Sequence, residues 1–529
     1  MPRILVADPL TEAGIERLKK AGEVTVATNL SEAELIARIA DFDALVVRSE
    51  THVTAAVLAA ASRLRVVGRA GVGVDNIDVS EATRRGILVL NAPRGNIIAA
   101  AEHTIALMLA AARHVPQANA SLKSGEWARS RFVGTEVRGK TLGVVGFGHV
   151  GSEVAKRARG LEMEVVAFDP VASIERAALA KVALVGLDEL LQRSDFVTIH
   201  VPLVEANRNM IGPRELALMK PAAILINTAR GGLVDESALF EALSGKRIAA
   251  AAADVYLHEP PGENPLLALP NFIGTPHIAA STIEAQASVA FDVAEEVAAV
   301  LAGELPRYAV NAPALPPEEQ AYLHPFVDLT ERLASLHAQL FGGRVSTIEL
   351  DFDGELAEHD VNWLVAAAIK GILQPFTEER INPVNARFVA GNRGVKVVER
   401  RTRTGASYAS LVTVRVHDHQ ISGTVLMGEL RAVKIDSFKV DLVPHGRFLV
   451  SRHHDRPGVV GRFGTILGQH DVNIASMHLG RDVPRGSAMM ILEVDDRVSL
   501  EVLSRLREVV GMGDLRYVEL GGDTPHPDG

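Results

Sequence analysis

Between Thr141 and Glu162 the chain runs apolar, turns on three glycines and then becomes helical: TLGVV, then Gly146-Phe-Gly148-His-Val-Gly151, then SEVAKRARGLE. Few folds accept a strand that hands over to a helix through this spacing. The first glycine makes the tight turn, the second lets backbone approach a pyrophosphate, and the third lets the helix pack close to the strand. The helix N-terminus then faces the phosphates. Asp169 ends the next strand, EVVAFDP, where a carboxylate takes both ribose hydroxyls and repels a 2′-phosphate. The cofactor expected is therefore NAD rather than NADP, held by Gly146, Gly148, Gly151 and Asp169. His149 and Val150 are placed in the same loop, facing the phosphates or solvent.

The rest of the chain agrees with this α/β reading. Up to about residue 97 short apolar strands (ILVADP, VTVAT, ALVVRS) alternate with amphipathic helices (EAGIERLKKAG, EAELIARIADF), which argues for a parallel sheet with crossover helices. One long helical pattern, residues 96–125, leads to a second unit of the same kind. That unit continues through FVTIHVPL, AILINTARGG, IAAAAADVY and FIGTPHIAAS. An apolar-faced helix from about Glu284 to Ala302 is expected to fold back on the first unit. Pro306, Pro313, Pro316 and Pro317 crowd the stretch from Glu304 to Gln320, which reads as a linker. Helices and alternating strands then mix up to about 447, and the final stretch reads strand, helix, strand, strand, helix, strand, the ferredoxin-like order. The expected architecture is two Rossmann-like parallel-sheet domains followed by two α+β domains. Their bounds are 1–97 with 285–310 returning to it, 98–284, 318–447 and 448–521.

Composition sets limits on partners. A chain of 529 residues is too long for one core and suggests roughly three or four domains. With 47% hydrophobic residues, 23% charged and a net charge of -10, it is an ordinary globular composition of the wrong sign for a nonspecific nucleic-acid binder. MPRILVADPL enters a strand directly, and no apolar run reaches spanning length, so neither a signal segment nor a membrane span is expected and the chain is placed in the cytoplasm. It has no cysteine, which removes disulfides, thiolate metal sites and cysteine nucleophiles. No metal-ligand spacing is present, and no metal is expected.

Ligands of open α/β sheets collect at strand ends, and three polar residues stand there in the second unit: Arg230 in NTARGG, Glu259 in DVYLHEP and His277 in TPHIAAS. Each alone has a plain structural reading as a turn, a helix-start carboxylate or a satisfied loop imidazole. Together beside a nicotinamide site they point to oxidation of a 2-hydroxy acid. A guanidinium fork grips a carboxylate bidentately, and an imidazole takes the hydroxyl proton as hydride leaves. Glu259 orients that imidazole and stabilises its charged form. Gly231 and Gly232 are expected to clear space for substrate beside the fork.

The set of GxGxxG, NTARGG, DVYLHEP and TPHIAAST, with VVGRAGVGVDNID and WARSRFVGTEVRGKTLGVVGFG, resembles the D-isomer-specific 2-hydroxyacid dehydrogenase family over about residues 1–310, and within it the members acting on 3-phosphoglycerate. The resemblance implies that Arg230 binds the carboxylate, that His277 with Glu259 does acid-base work, and that backbone at Val72 and Gly73 helps bind substrate. It also implies that Val201, Pro202, Thr228, Ala229 and Asp254 line the NAD pocket. A phosphate needs cations, and Arg48 and Arg69 follow apolar strands of the first unit where they can face the cleft. Arg129 and Arg131 are ranked lower, as contributors from a neighbouring subunit of the implied homo-oligomer, a tetramer.

Beyond 310, DRPGVVGRFGTILGQHDVNIASM resembles the ACT domain, which implies a small amino acid, L-serine, at a subunit interface. Asp455 would take its ammonium and Asn473 its carboxylate, with His453 assisting. The region before it resembles the additional domain of the long-form members; its ERINPVNA and basic ERRTRT read as an acidic-effector site or, by slight preference, a solvated face. Two rival functions stay open on sequence: a sister dehydrogenase acting on glycerate or glyoxylate, and an NAD(H)-sensing corepressor-like binding protein.

Overall fold

The computed structural model describes residues 1–313, 317–378, 380–403, 408–510 and 514–521. The tail after 521, Glu379 and Thr404 of the two motifs just quoted, and Pro316 lie outside them.

Four sheets follow one another along the chain. The first contains β1 Arg3–Val6, β2 Glu23–Val26, β3 Ala44–Val47, β4 Val66–Arg69 and β5 Leu88–Asn91 in the order β2-β1-β3-β4-β5. Every pairing is parallel. The second contains β6 Thr141–Val145, β7 Glu164–Phe168, β8 Ala183–Leu184, β9 Phe196–Ile199, β10 Ile224–Asn227, β11 Ala250–Ala253 and β12 Phe272–Gly274. Its order is β12-β11-β10-β9-β6-β7-β8, again all parallel. Strand order therefore reverses between β6 and β9, and the glycine turn that follows β6 opens on that crevice. These strands are buried on both faces, so they read as unbroken apolar runs such as ILIN and AAAA rather than as alternation.

The helix Ile283–Ala302 returns to the first sheet. Val289, Val293 and Val297 pack with Ile4, Val6, Val46 and Val66 in one apolar cluster. Gly68 admits them: a Cβ there would lie 2.7 Å from Val297 and 2.8 Å from Val293.

Two expectations fail here for local reasons. The pattern over 96–125 is not one helix but two, Ile97–Ala112 and Val115–Lys123, broken where His114 takes φ 52° ahead of Pro116. From Tyr308 to Pro313 the proline-rich stretch is held against the protein rather than free. Ala309 forms an antiparallel bridge with Leu90, Val310 N–H donates to the Val89 carbonyl at 2.8 Å, and Asn91 N–H donates to the Tyr308 carbonyl at 3.4 Å. Asn311 adds side-chain bonds to Val89, Thr83 and Ile87. Trp363 Nε1 then holds the Pro313 carbonyl at 2.8 Å, and a helix begins at Pro317, where proline is tolerated because an opening residue's N–H has no intrahelical partner.

The third sheet is mixed: β13 Thr347–Gly354, β14 Lys396–Thr402, β15 Ser410–Val416, β16 His419–Leu426, β17 Glu429–Ile435 and β18 Phe438–Leu442, in the order β14-β13-β15-β16-β17-β18. Only β13 and β14 run parallel. The fourth contains β19 Gly446–His454, β20 Ile474–Arg481, β21 Ser487–Val494 and β22 Asp514–Leu520 in the order β20-β21-β19-β22, the ferredoxin-like arrangement. The helix Pro317–Phe341 lies between the two sheets. Leu333, Phe352, Val414, Phe448, Val450, Ile491 and Val518 share a single apolar cluster. Gln339 on that helix caps the edge strand β22 as another strand would, donating to the Glu519 carbonyl at 2.9 Å and accepting its N–H at 3.1 Å. Among the described residues no helix is long and apolar enough to cross a membrane.

Candidate active site

The glycine turn after β6 divides its labour unequally. Gly146 takes φ 95°, and a Cβ there would lie 2.6 Å from the His200 carbonyl oxygen. At Gly151 a Cβ would lie 2.0 Å from the Gly146 carbonyl oxygen, so this helix packs as close to the turn as backbone allows. Gly148 meets nothing within 4 Å; its face stays open at the N-terminus of the twelve-residue helix His149–Gly160. Asp169 ties the turn to the end of β7 by accepting from Phe147 N–H at 2.8 Å and Val171 N–H at 2.9 Å. A bare backbone, a helix start and a strand-end carboxylate therefore face one crevice, and they fit the pyrophosphate and ribose of NAD. His149 and Val150 belong to the first turn of the helix rather than to the loop, with His149 exposed.

Val201 stands beside Gly146, whose Cβ would reach it at 2.8 Å, and Pro202 is exposed at the same strand end. Ala229 begins the turn after β10. Two expected pocket residues are buried and bonded within the protein. Thr228 is buried, with Oγ1 2.7 Å from Thr104 Oγ1. Asp254 is fully buried; it accepts from Thr275 Oγ1 at 2.6 Å, Ile278 N–H at 2.9 Å and Ala279 N–H at 2.8 Å, and lies 3.4 Å from His103 Nε2. It secures the loop that carries His277. Burial pushes the Asp254 carboxyl up, but these donors outweigh it and hold it below the usual carboxylate range.

Arg230, Glu259 and His277 follow β10, β11 and β12, three adjacent strands of one sheet. His277 Nδ1 and Glu259 Oε2 are 2.6 Å apart, and Glu259 Oε1 also accepts the Tyr256 N–H at 3.0 Å. Burial raises the Glu259 carboxyl, yet the His277 and Tyr256 bonds bring it below its ordinary range. With Nδ1 engaged, Nε2 of a half-exposed ring is the atom available for proton transfer. The expectation for Gly231 is wrong in its reason. A Cβ there would lie 1.8 Å from the Tyr256 carbonyl oxygen, so the glycine makes room for the Glu259 loop, not for substrate. Gly232 is needed for φ 78°.

Across the cleft the ends of β3 and β4 bring their own cations. Arg69 folds over Gly71, where a Cβ would lie 1.7 Å from Nη1, and Arg230 reaches over to Gly73, where a Cβ would lie 2.2 Å from Nη2. Val72 is fixed through its carbonyl, which accepts from Asn91 Nδ2 at 2.6 Å. Burial foremost, then the charges of Arg230 and Arg48 against the opposing Asp75 and Asp8, pull Arg69 down to about 10. Its Nε is buried with no hydrogen-bond partner among the described residues. Arg48 is clamped through backbone, its N–H at 2.5 Å from Asp8 Oδ2 and its carbonyl at 2.8 Å from Asn76 Nδ2. It lines a cleft of about 150 Å3 with Thr11, Ala70 and Gln286. The sequence reading missed Asp8, Thr11, Asp75, Asn76 and Gln286; only the repeated polar positions of VDNID hinted at two of them. Arg129 and Arg131 sit on an exposed turn, Arg131 paired with Glu126, and form no bond to these groups within the chain.

The effector residues do not gather in one chain. Asp455, before the helix Val459–Gln469, accepts from Arg481 Nη1 at 3.2 Å and Arg485 N–H at 3.1 Å, and His453 is buried 3.2 Å from Ser451 Oγ. Asn473 lies beyond the far end of that eleven-residue helix, roughly 16 Å away by helix rise, donating to Asp495 at 2.6 Å.

These features define an NAD-dependent dehydrogenase of small carboxylate-bearing alcohols. Residues 105–279 match the NAD binding domain of the D-isomer specific 2-hydroxyacid dehydrogenases, 322–436 the D-3-phosphoglycerate dehydrogenase intervening domain, and 447–511 the ACT domain. The D-3-phosphoglycerate dehydrogenase of Archaeoglobus fulgidus is 45% identical over 526 residues, covering 98% of this chain and 100% of the relative. That of Bacillus subtilis is 39% identical over 527 residues, covering 98% and 100%. Among solved structures, a Thermus thermophilus protein superposes with TM-score 0.54 at 37% identity over 58% of this chain and 99% of its own. D-Lactate dehydrogenase from Aquifex aeolicus, complexed with NAD and lactic acid, gives TM-score 0.54 at 26% identity over 59% and 100%. The chain belongs to the D-3-phosphoglycerate dehydrogenase family, in the form that carries both the intervening and the ACT domain.

Proposed function

We propose that this protein oxidises D-3-phosphoglycerate to 3-phosphohydroxypyruvate with NAD, the entry to L-serine synthesis. The observation that carries the reading is the His277–Glu259 pair at 2.6 Å on the sheet that presents Arg230, with Arg69 and Arg48 brought to Arg230 from the ends of β4 and β3. Arg230 takes the substrate carboxylate, and Arg48 and Arg69 take the phosphate. NAD, when bound, supplies the hydride acceptor. His277 Nε2 receives the hydroxyl proton, while Glu259 fixes the tautomer and balances the imidazolium charge. Gly146, Gly148, Gly151 and Asp169 hold the dinucleotide.

NADH production with phosphoglycerate, glycerate and lactate side by side tests the substrate, and phosphoglycerate should be strongly preferred. His277→Ala should cost about two to four decades in turnover while NAD affinity is kept; lost NAD affinity would contradict the assigned role. The regulatory half is read as a feedback device for L-serine in a cytoplasmic homotetramer. Since His453 and Asp455 stand at one end of a helix and Asn473 at the other, a second copy would complete the serine site. Millimolar serine should lower the rate or raise the melting temperature, and the reading is abandoned if it does neither.

A further inference from the structure

Arg230 already holds a carboxylate. Its Nε donates to Asp75 Oδ2 at 3.2 Å, and its Nη1 donates to the Ala229 carbonyl at 2.7 Å. The backbone around Asp75 is fixed on both sides: Asn91 grips the Val72 carbonyl, and Asn76 Nδ2 donates to the carbonyls of Arg48 at 2.8 Å and Thr51 at 2.6 Å. The Asp75 side chain is different, being 74% exposed. A rigid loop thus carries a carboxylate that is free to swing into solvent.

A guanidinium grips a carboxylate bidentately by offering two parallel N–H groups from one edge. Nη1 is committed to the Ala229 carbonyl, which leaves the Nε–Nη2 edge, and Asp75 sits on it. We propose that Asp75 is a positioning and specificity residue, a placeholder for the substrate carboxylate. It holds Arg230 in line while the site is empty and offsets the repulsion between Arg230 and Arg69. It leaves when a 2-hydroxy carboxylate takes both N–H groups. Only a ligand that replaces the Asp75 bond and adds a second one gains by entering, so the residue sets a threshold against anions that bind through one oxygen. The inference rests on Arg230 as the carboxylate-binding residue.

The test uses the full-length protein with Asp75→Asn, and Asp75→Ser as a second variant lacking the amide. KM for D-3-phosphoglycerate and the inhibition constant of oxalate, a carboxylate with no hydride to give, should both fall about two- to fivefold. The change should be carried by KM rather than kcat. Chloride, which offers a single acceptor atom, should gain more as an inhibitor than oxalate does. KM and oxalate inhibition that stay constant or weaken in both variants would overturn the placeholder role. Arg230→Ala separates the two levels of the argument: it should weaken oxalate by at least about thirtyfold, and indifference of oxalate to that change would remove the reading of Arg230 itself.

Discussion

Where the first two sheets face each other, no apolar cluster crosses between them among the described residues; the cores of the first unit and of the second are separate. What meets across the gap is charge, the Arg230–Asp75 contact. Where the last two sheets meet, Leu333, Phe352, Phe448, Val450, Ile491 and Val518 form one apolar mass. Charged and hydrogen-bonded contacts exchange for water or ligand at small cost, whereas exposing an apolar core costs about 25 cal/mol per Å2. The front pair should therefore shift against each other more readily than the back pair, which should move as one body.

The sharpest way to break this contrast is Phe448→Ala. Removing a ring that is 2% exposed should cost about 3–5 kcal/mol, and hydrogen exchange should then accelerate together in the third and fourth sheets. Loss of protection in the fourth sheet alone would show that the shared core does not couple them. Acid should act on the same back unit. His337 is buried against the His419 carbonyl, and burial brings it down to about 4, opposed by its bond to that carbonyl and by Asp436 and aided by the charges of His419 and His417. The unfolded chain takes up that proton near pH 6.5 and the folded one only near 4. Stability from this group is thus complete above about pH 6.5 and lost as pH falls toward 4, by up to about 3 kcal/mol. Denaturant midpoints at pH 7 and pH 5 should differ accordingly, and less so in His337→Gln. The smallest expected effect lies in the front half. Gly231→Ala pushes a methyl against the Tyr256 carbonyl and should cost about 1–3 kcal/mol. Because Glu259 hangs from the same loop, turnover should fall in that variant at temperatures where the fold is still intact; equal turnover would mean the loop relaxes freely.

The two halves were also unequally legible. In the front half the glycine turn, Asp169 and the polar ends of β10 to β12 each occur in a local pattern whose geometry follows from strand and helix periods. Asp75 is different, since its significance appears only when Arg230 arrives from another sheet, 155 residues later. Gly231 was misread for the same reason: its neighbour is the Tyr256 backbone, which no local spacing reveals. In the back half the order of elements was clear but the fused core was not, although a signal existed. Phe448-Leu449-Val450 and Met489-Met490-Ile491-Leu492 are unbroken apolar runs in antiparallel strands, where a sheet with one wet face would alternate. Phe448 and Val450 face the long helix, and Leu449 faces the ACT helices.

The segment from Tyr308 to Asn311 laid along β5 carries one more consequence. Asn91, whose side-chain amide steadies the Val72 carbonyl, is itself seated by the Tyr308 carbonyl. A protein severed after Ala302 would keep every group of the chemistry and lose the rung beneath one of them. The segment that leads from the first two units toward the last two is consequently a structural member of the first unit as well as a tether.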